Sequence, residues 1–298
     1  MKSNEDILKI LAKYDLESDV SKKFNKVWGQ LSANQALTPQ DNPVGVLLGG
    51  QPGAGKSFAT LAIQERLNNN VLVINGDEFR SSHKHYDDFY QLYGKDASKY
   101  TGAFAGRMVE KVRDEAIKHR FNVVIEGTFR TTETPLKELT NFKEQGYKSE
   151  VIVCTCPKEL SWESTIKRAE ELEKAGLQPR YVPKEHHDKV TQNLASNTEI
   201  IFGSGLVSHL EIYSREEKLF DSVNGNIDDI QTVINTELNK KLSLEKDSKI
   251  DTQGLFIDKL SNVSQLDYVE PISAKKLLQV DADLSQTQQL TKTKKLKR

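Results

Sequence analysis

Eight consecutive residues constrain this chain more than any other feature: Gly50-Gln51-Pro52-Gly53-Ala54-Gly55-Lys56-Ser57. They fit the pattern G-x-x-x-x-G-K-[ST], in which backbone N–H groups surround phosphate oxygens, the lysine reaches the β/γ-phosphates and the hydroxyl ligates Mg²⁺. An apolar run precedes the motif and a helix-compatible stretch follows it, so the positive end of a helix dipole points at the same anion. A glycine-rich turn that matches by chance is the alternative. The flanking pattern favours a loop that binds a nucleoside triphosphate.

Strand and helix patterns alternate from residue 44 onwards. Aliphatic runs predict buried strands at 44–49, 71–74, 122–125 and 151–154, and helical patterns lie at about 57–67, 101–119, 134–145 and 160–174. This order is typical of an α/β fold with a mainly parallel sheet flanked by helices. We expect a helical N-terminal segment at 1–40, the α/β domain at 41–240, and a partly disordered or helical extension at 241–298.

Composition narrows the class of protein. With 298 residues and a net charge of −1, the surface is not built as a whole for nucleic acid, and we expect no nucleic-acid partner. No apolar run has the length of a membrane span, and the N-terminus lacks a signal-peptide pattern, so we expect a cytoplasmic protein without a membrane partner. Cys154 and Cys156 are interpreted as reduced core thiols. The basic stretch 292–298 is interpreted as a solvated end.

Two carboxylates follow predicted strands at the edge of the sheet where such folds bind their ligands. Asp77 comes after an apolar strand and a glycine, where it could accept a proton from an acceptor hydroxyl beside the γ-phosphate. A helix cap or an Asx-turn is the alternative for Asp77. Glu126 ends the next strand and is assigned to the Mg²⁺ shell or to substrate hydroxyls, with a paired structural carboxylate as the alternative.

The stretch 159–180 carries basic residues on a helix and on the loop after it. Arg168 and Arg180 could clamp the transferred phosphoryl group, although most helix arginines are merely solvated. His186 and His187 fall in a helix opened by Pro183. Adjacent helix positions do not share a face, so a cap or surface role is expected for this pair rather than a shared metal site.

Five motifs in order make the pattern more specific. They are the loop at 50–57, Asn75-Gly76-Asp77-Glu78-Phe79-Arg80, Gly106-Arg107-Met108-Val109-Glu110, Ile125-Glu126-Gly127-Thr128-Phe129-Arg130-Thr131 and Pro183-Lys184-Glu185-His186-His187-Asp188. Together they resemble the zeta toxin family, including its PezT branch, over roughly residues 44–215. The resemblance implies a P-loop kinase-like fold. It also implies a bacterial toxin that uses ATP and Mg²⁺ to phosphorylate the 3′-hydroxyl of the amino sugar of UDP-N-acetylglucosamine, which stops peptidoglycan synthesis. A small helical antitoxin of the epsilon or PezA kind would block its nucleotide cleft.

The resemblance also assigns roles to individual residues. Asp77 corresponds to the catalytic base, and Lys56 and Ser57 to the phosphate-binding lysine and the Mg²⁺-linked hydroxyl. The residues that correspond to sugar-nucleotide contacts, in addition to Asp77, are Glu110, Glu126, Thr128 and Arg130. Arg168 and Arg180 correspond to the arginines that stabilise the transferred phosphoryl group.

The chain departs from the family at two of these places. Glu138 stands where the family usually has a substrate-contacting threonine, and the register at Arg180 requires one gap. Two other functions therefore stay open at the level of sequence. One is a kinase for another small hydroxylated acceptor, such as an antibiotic, a nucleoside or a polynucleotide end, and the other is a non-catalytic nucleotide-binding switch.

Overall fold

A computed structural model of the protein describes residues 3–33, 37–175 and 181–241. The predicted extension after residue 241 and Arg180 lie outside the described residues. The elements within those ranges are α1 (Asn4–Ala12), α2 (Leu16–Ser32), β1 (Val44–Gly50), α3 (Lys56–Arg66), β2 (Leu72–Asn75), α4 (Gly76–Phe79), α5 (Tyr86–Tyr93), α6 (Ser98–Lys118), β3 (Val123–Glu126), α7 (Glu133–Glu144), β4 (Lys148–Cys154), α8 (Lys158–Lys174), α9 (Lys184–Gly203), β5 (His209–Tyr213), β6 (Lys218–Asp221) and α10 (Asp229–Leu238).

The strands of the described part form one six-stranded sheet in the order β2-β3-β1-β4-β5-β6. The first four pairings are parallel, and β6 runs antiparallel to β5. A mainly parallel sheet flanked by helices is confirmed, as are the four strands predicted between residues 44 and 154. The sequence patterns did not predict β5, β6 or α10.

Alternate residues of the strands face two different hydrophobic clusters, as the pleat of a β-strand requires. Val46 and Leu48 of β1 pack with Ala59 and Ile63 of α3 on one face. Leu47 faces the other side, in the larger cluster that also contains residues of α2, α6, α7, α9 and α10. Helices therefore cover both faces, and the polar residues that follow the strands lie at the carboxyl edge of the sheet.

The N-terminal helices pack onto the α/β domain. Val20 and Val27 of α2 lie in the same buried cluster as strand residues, and Ile7 of α1 packs against Phe89 of α5. The predicted N-terminal helices are confirmed. None of the described helices combines the length and the apolar composition needed to cross a membrane.

Candidate active site

The P-loop, residues 50–57, depends on glycine where it leaves β1. Gly50 has φ +139°, and a Cβ atom there would lie 2.1 Å from the carbonyl oxygen of Cys154. Gly53 has φ +79°, and its Cβ would lie 2.2 Å from the carbonyl oxygen of Ser161 on α8. Side chains at either position would be strained and would collide with backbone. The loop is therefore held between β4 and α8 by close backbone approach.

The end of the P-loop is the start of α3. The N-cap residue is Gly55 in the left-handed region, and it has no side chain with which to cap the helix. The first N–H groups of a helix have no intrahelical partners. They and the helix dipole make this position suited to an anion.

Lys56 connects the P-loop to the charged residues around it. Its Nζ donates to the carbonyl oxygens of Gly50 at 2.9 Å and Gln51 at 3.1 Å. Burial lowers the pKa of Lys56 below its ordinary value, while the charges of Glu126 and Asp77 raise it and that of Arg168 lowers it. The fold thus brings these three predicted site residues into the electrostatic surroundings of the lysine.

Glu126 lies at the end of β3 and is held from two sides. Its Oε1 accepts a hydrogen bond from Oγ1 of Thr60 at 2.9 Å, and its Oε2 accepts one from Nδ2 of Asn75 at 2.7 Å. Thr60 belongs to α3, and Asn75 is the register partner of Glu126 on β2. Both partners are neutral, so the half-buried carboxylate is oriented without being neutralised.

Asp77 lies in the first turn of α4, with its side chain 59% exposed. The cap of this short helix is Asn75, whose Oδ1 accepts from the N–H of Asp77 at 3.0 Å. The alternative of a capping Asp77 is therefore wrong. Arg80 fixes the carboxylate, because its Nε lies 2.7 Å from Oδ1 of Asp77 and its Nη1 donates to the carbonyl oxygen of Ser98 at 2.8 Å. Sequence reasoning missed Arg80, although an acid and a base three apart on a helix are a recognisable pair.

Glu110 of α6 lies between two cations. Its Oε1 is 2.5 Å from Nζ of Lys137, and its Oε2 is 3.0 Å from Nη1 of Arg107. The hydrogen bond from Lys137 is the main cause of a pKa below the ordinary glutamate value. Glu110 is therefore a stable carboxylate that links α6 to α7.

Glu138, at the position where the family usually has a threonine, is buried. Both of its oxygens lie 2.6 Å from Nη1 of Arg113, and the two side chains are 5% and 6% exposed. This buried ion pair crosses from α6 to α7 one turn beyond Glu110. In this structure Glu138 is a packing residue.

The loop from Gly127 to Arg130 follows β3 and continues the carboxyl edge of the sheet. Phe129 has a φ of +51°, and its ring lies where a Cβ on Gly49 would be, at 2.3 Å. Thr128 is half-buried and Arg130 is exposed. Nη1 of Arg130 lies 2.8 Å from Nδ1 of His186 on α9.

The prediction of a surface or cap role for the two histidines is wrong. His187 is 1% exposed, and its Nε2 lies 2.8 Å from Oγ of Ser161, the residue that packs against the P-loop. His186 is half-buried and close enough to Asp77 and Arg80 for their charges to act on its pKa. Adjacent helix positions diverge, so one histidine supports α8 and the other faces the site.

Arg168 lies on α8 and is exposed. A second arginine, Arg215, was missed by sequence reasoning. It follows β5, and its Nη2 donates to the carbonyl oxygen of Gly53 and to Oγ of Ser164 at 2.7 Å. No motif surrounds Arg215, and only the pairing of β5 with β4 brings it to the P-loop.

The two cysteines are buried free thiols, as predicted. Burial raises the pKa of Cys154 to about 12 and that of Cys156 to about 11. Because the thiolate is the reactive form, these thiols are inert at neutral pH.

Comparison with known proteins identifies the family. The zeta toxin family model matches residues 30–224. The chain belongs to the zeta toxin family. It is 40% identical over 182 residues to the toxin PezT of Streptococcus pneumoniae. The aligned residues make up 60% of this chain and 72% of that toxin. It is 36% identical over 205 residues to the toxin zeta of Streptococcus pyogenes, covering 68% of this chain and 71% of that toxin.

Solved structures agree with this assignment. A structure from the PezAT chromosomal toxin-antitoxin system of Streptococcus pneumoniae matches with a TM-score of 0.68 and 30% identity, over 78% of this zeta family chain and 91% of the other. A structure of AvrRxo1-ORF1:AvrRxo1-ORF2 with sulphate ions matches with a TM-score of 0.51 and 15% identity, over 76% and 74%. The second likeness concerns the fold alone. The zeta family chain is thus a toxin homologue with a P-loop kinase-like fold.

Proposed function

We propose that this zeta family protein is a kinase that transfers the γ-phosphoryl group of ATP to the 3′-hydroxyl of the amino sugar of UDP-N-acetylglucosamine. The observation that carries the proposal is the group of charged residues around Lys56, with Asp77 and Glu126 at neighbouring strand ends. A phosphate-binding loop alone serves many reactions. A carboxylate beside that loop adds a base for a hydroxyl acceptor.

Asp77 acts as the base in this reaction. It takes the proton of the acceptor hydroxyl while that oxygen forms a bond to the γ-phosphorus, and the bond from the γ-phosphorus to the bridging oxygen breaks to release ADP. Arg80 holds the Asp77 carboxylate at 2.7 Å, so the base is oriented before the acceptor arrives. In-line transfer needs positioning and charge stabilisation more than covalent help.

Positive charge around the transferred group comes from Lys56, Arg168 and Arg180. Lys56 would exchange its bonds to the carbonyl oxygens of Gly50 and Gln51 for bonds to phosphate oxygens. Arg168 approaches from α8, and Arg180 belongs to the segment after that helix. The loop residues Gly50, Gln51, Pro52, Gly53, Ala54, Gly55 and Ser57 would surround the phosphates.

The residues present also fit Mg²⁺. Ser57 is exposed in the first turn of α3, and Glu126 is an oriented carboxylate whose hydrogen-bond partners Thr60 and Asn75 are neutral. Hydroxyl and carboxylate oxygens are the ligands that Mg²⁺ prefers. Ser57 would hold the ion directly and Glu126 through its shell, and the bound ion would neutralise charge on the β- and γ-phosphates.

The acceptor would lie on the side of the cleft formed by α4, α6 and the loop 127–130. Glu110, Glu126, Thr128 and Arg130 are the proposed contacts, and carboxylates with a guanidinium suit sugar hydroxyls and a diphosphate. Glu138 cannot replace the family's threonine as a contact because Arg113 occupies both of its oxygens. That departure favours a second candidate, a kinase for another small hydroxylated acceptor.

Phosphorylation of UDP-N-acetylglucosamine would stop peptidoglycan synthesis, which gives the protein its role as a toxin. Its similarity to a structure of the PezAT toxin-antitoxin system supports a helical antitoxin that blocks the nucleotide cleft. A short helical open reading frame beside the gene would support the antitoxin.

We propose the cytoplasm as the place where the protein acts. We also propose that its α/β domain extends from about residue 40 to about residue 240.

The test is an assay of the full chain with ATP, Mg²⁺ and UDP-N-acetylglucosamine, in which the product mass is measured. Asp77→Asn is expected to lower kcat by about 10²–10⁴-fold while ATP still binds, because it removes the base and leaves the P-loop intact. Glu78→Gln, the next carboxylate on α4 and also exposed, is the matched control and should keep activity. Full activity of Asp77→Asn would overturn the mechanism.

A second assay offers the protein a mixture of candidate acceptors and measures which one gains a phosphoryl group. It distinguishes a UDP-N-acetylglucosamine kinase from a kinase for another small hydroxylated acceptor. ATP binding without turnover on any acceptor would favour a nucleotide-binding switch.

A further inference from the structure

Three polar side chains on one face of α9 contact the loop that carries Thr128 and Arg130. Nδ2 of Asn197 donates to the carbonyl oxygen of Phe129 at 2.8 Å, and Nδ2 of Asn193 donates to that of Arg130 at 3.3 Å. His186 lies seven residues before Asn193 and contacts the Arg130 side chain. Spacings of seven and four place the three residues on one side of a helix. The helix therefore holds this loop at two backbone points and one side chain.

The loop needs such support because its backbone is strained. Phe129 adopts φ +51°, a region that side chains other than glycine seldom occupy, at a cost of about 1–3 kcal/mol. Such a conformation persists only where its surroundings determine it. The bonds from Asn193 and Asn197 lie directly at the strained residue and its neighbour.

The contact between Arg130 and His186 also determines the state of the imidazole. A guanidinium always carries its proton and has no acceptor atom, so Nδ1 of His186 must accept at 2.8 Å. The proton of the neutral ring is then on Nε2. The charged and titratable groups that act on the ring are Arg130, Arg80, Asp77 and His187.

We infer that His186 is a positioning residue for the acceptor: its neutral imidazole holds the Arg130 guanidinium at the cleft while Asn193 and Asn197 hold the loop beneath it. This inference rests on the proposed function, because Arg130 is a proposed acceptor contact. Burial lowers the pKa of His186 below its usual 6.5, Arg130, Arg80 and His187 lower it further, and Asp77 opposes them. The ring is therefore neutral at pH 7, and its protonation in acid would release Arg130.

Steady-state kinetics with UDP-N-acetylglucosamine test the inference. His186→Ala should raise the acceptor KM about tenfold, since a hydrogen bond to a charged group is lost. The KM for ATP and kcat should stay within about twofold. His186→Asn places an acceptor oxygen near the position of Nδ1 and should restore most of the acceptor KM. His119→Asn, on a ring that is 50% exposed and stacks on Phe121, is the matched control.

A fall in kcat with unchanged acceptor KM, or an alanine variant equal to wild type, would overturn the inference. So would a failure of His186→Asn to improve on His186→Ala when both variants melt like wild type. In wild type, the value of kcat/KM for the acceptor should fall as the pH drops toward the lowered pKa of His186. His186→Asn should lose the part of the acid limb that comes from the imidazole, whereas the part due to the catalytic base should remain.

A measurement without any acceptor separates this inference from the proposed function. The ¹⁵N resonances of the His186 ring in the full chain should show the Nε2–H form, and Arg130→Leu should raise the pKa of the ring. An Nδ1–H form, or a pKa that does not respond to Arg130→Leu, would overturn the inference whatever the acceptor is. If the resonances behave as expected and UDP-N-acetylglucosamine is not phosphorylated, the proposed function fails and the pairing of His186 with Arg130 stands.

Discussion

The two sides of the cleft differ in what forms them: backbone on the nucleotide side and interacting side chains on the acceptor side. The nucleotide side is one continuous stretch of backbone, in which glycines allow close approach to β4 and α8 and Lys56 is held by carbonyl oxygens. The acceptor side consists of side chains from α4, α6, α7 and α9 that hold one another, as Lys137 holds Glu110 and His186 holds Arg130. Backbone geometry suits phosphate, which is common to all nucleotides. Side-chain networks suit an acceptor that differs between enzymes.

The largest effect on stability is expected on the acceptor side, from Glu138→Leu. It leaves the buried Arg113 guanidinium without its main partner, and breaking a buried ion pair costs about 3–5 kcal/mol in unfolding free energy. We expect about 3 kcal/mol, because Asp114 still lies 2.7 Å from Nη2 of Arg113. Urea unfolding of the full chain measures it, and ATP affinity should change little in the folded fraction.

Glu144→Leu, an exposed position on the same helix, is the control and should shift the unfolding free energy by less than about 0.5 kcal/mol. Arg113→Leu combined with Glu138→Leu should regain most of the loss. A double variant as unstable as the single one would show that the unpaired charge is not the cause.

The next largest effect on the free energy of unfolding is expected from acid, through protonation of His83. This residue follows α4 and is 4% exposed, and its ring packs at a tilt against that of Tyr14, with 4.6 Å between the ring centroids. Burial lowers its pKa from 6.5 to about 4, so between those values the unfolded chain binds a proton that the folded chain does not. The stability from His83 is present above about pH 6.5 and is lost as the pH falls through 4, which amounts to roughly 3 kcal/mol.

His83→Asn keeps an acceptor for the N–H of His85 and removes the titration. Urea unfolding at pH 7 and pH 4.5 should therefore show a smaller loss in this variant than in wild type. His119→Asn serves as the control and should keep the wild-type loss. Equal pH dependence in wild type and His83→Asn would assign the acid sensitivity to other groups.

Gly50→Ala should instead impair ATP binding on the nucleotide side, with a smaller effect on the free energy of unfolding. Its Cβ would lie 2.1 Å from the carbonyl oxygen of Cys154 in a backbone region with φ +139°. We expect a loss of about 1–3 kcal/mol in unfolding free energy and a roughly tenfold or larger loss in affinity for ATP. A fluorescent ATP analogue measures the affinity.

Gly106→Ala is the matched control, because no atom apart from its chain neighbours and the backbone of α6 itself lies within 4 Å of its Cβ position. It should stabilise the helix by about 0.5–1 kcal/mol. If both variants bind ATP like wild type, the close approach at Gly50 is not what shapes the loop.

The parts of the molecule that could be predicted are those whose residues are close together in the sequence. The P-loop, the four strands from β1 to β4 and the helices α3, α6 and α7 follow from local pattern, because neighbouring residues carry the whole signal. The short helices α4 and α5 were not predicted. Asp77 and Glu126 were singled out by the same rule, since Glu126 directly follows an apolar run and only two residues separate Asp77 from another. The strands β5 and β6, which lie beyond β4 in the sheet, lack such runs of aliphatic residues, and they were missed.

The sequence by itself determined that this protein has a P-loop, a mainly parallel sheet and two carboxylates at its edge. Only the tertiary structure decided how those carboxylates are held, that Glu138 is buried against Arg113, that His187 supports α8, and that His186 and Arg215 reach the cleft from distant segments. The physical reason is the range of the interactions. Strand and loop formation depend on residues a few positions apart, whereas an ion pair or a hydrogen bond between α9 and the loop after β3 exists only once both have packed on the same sheet.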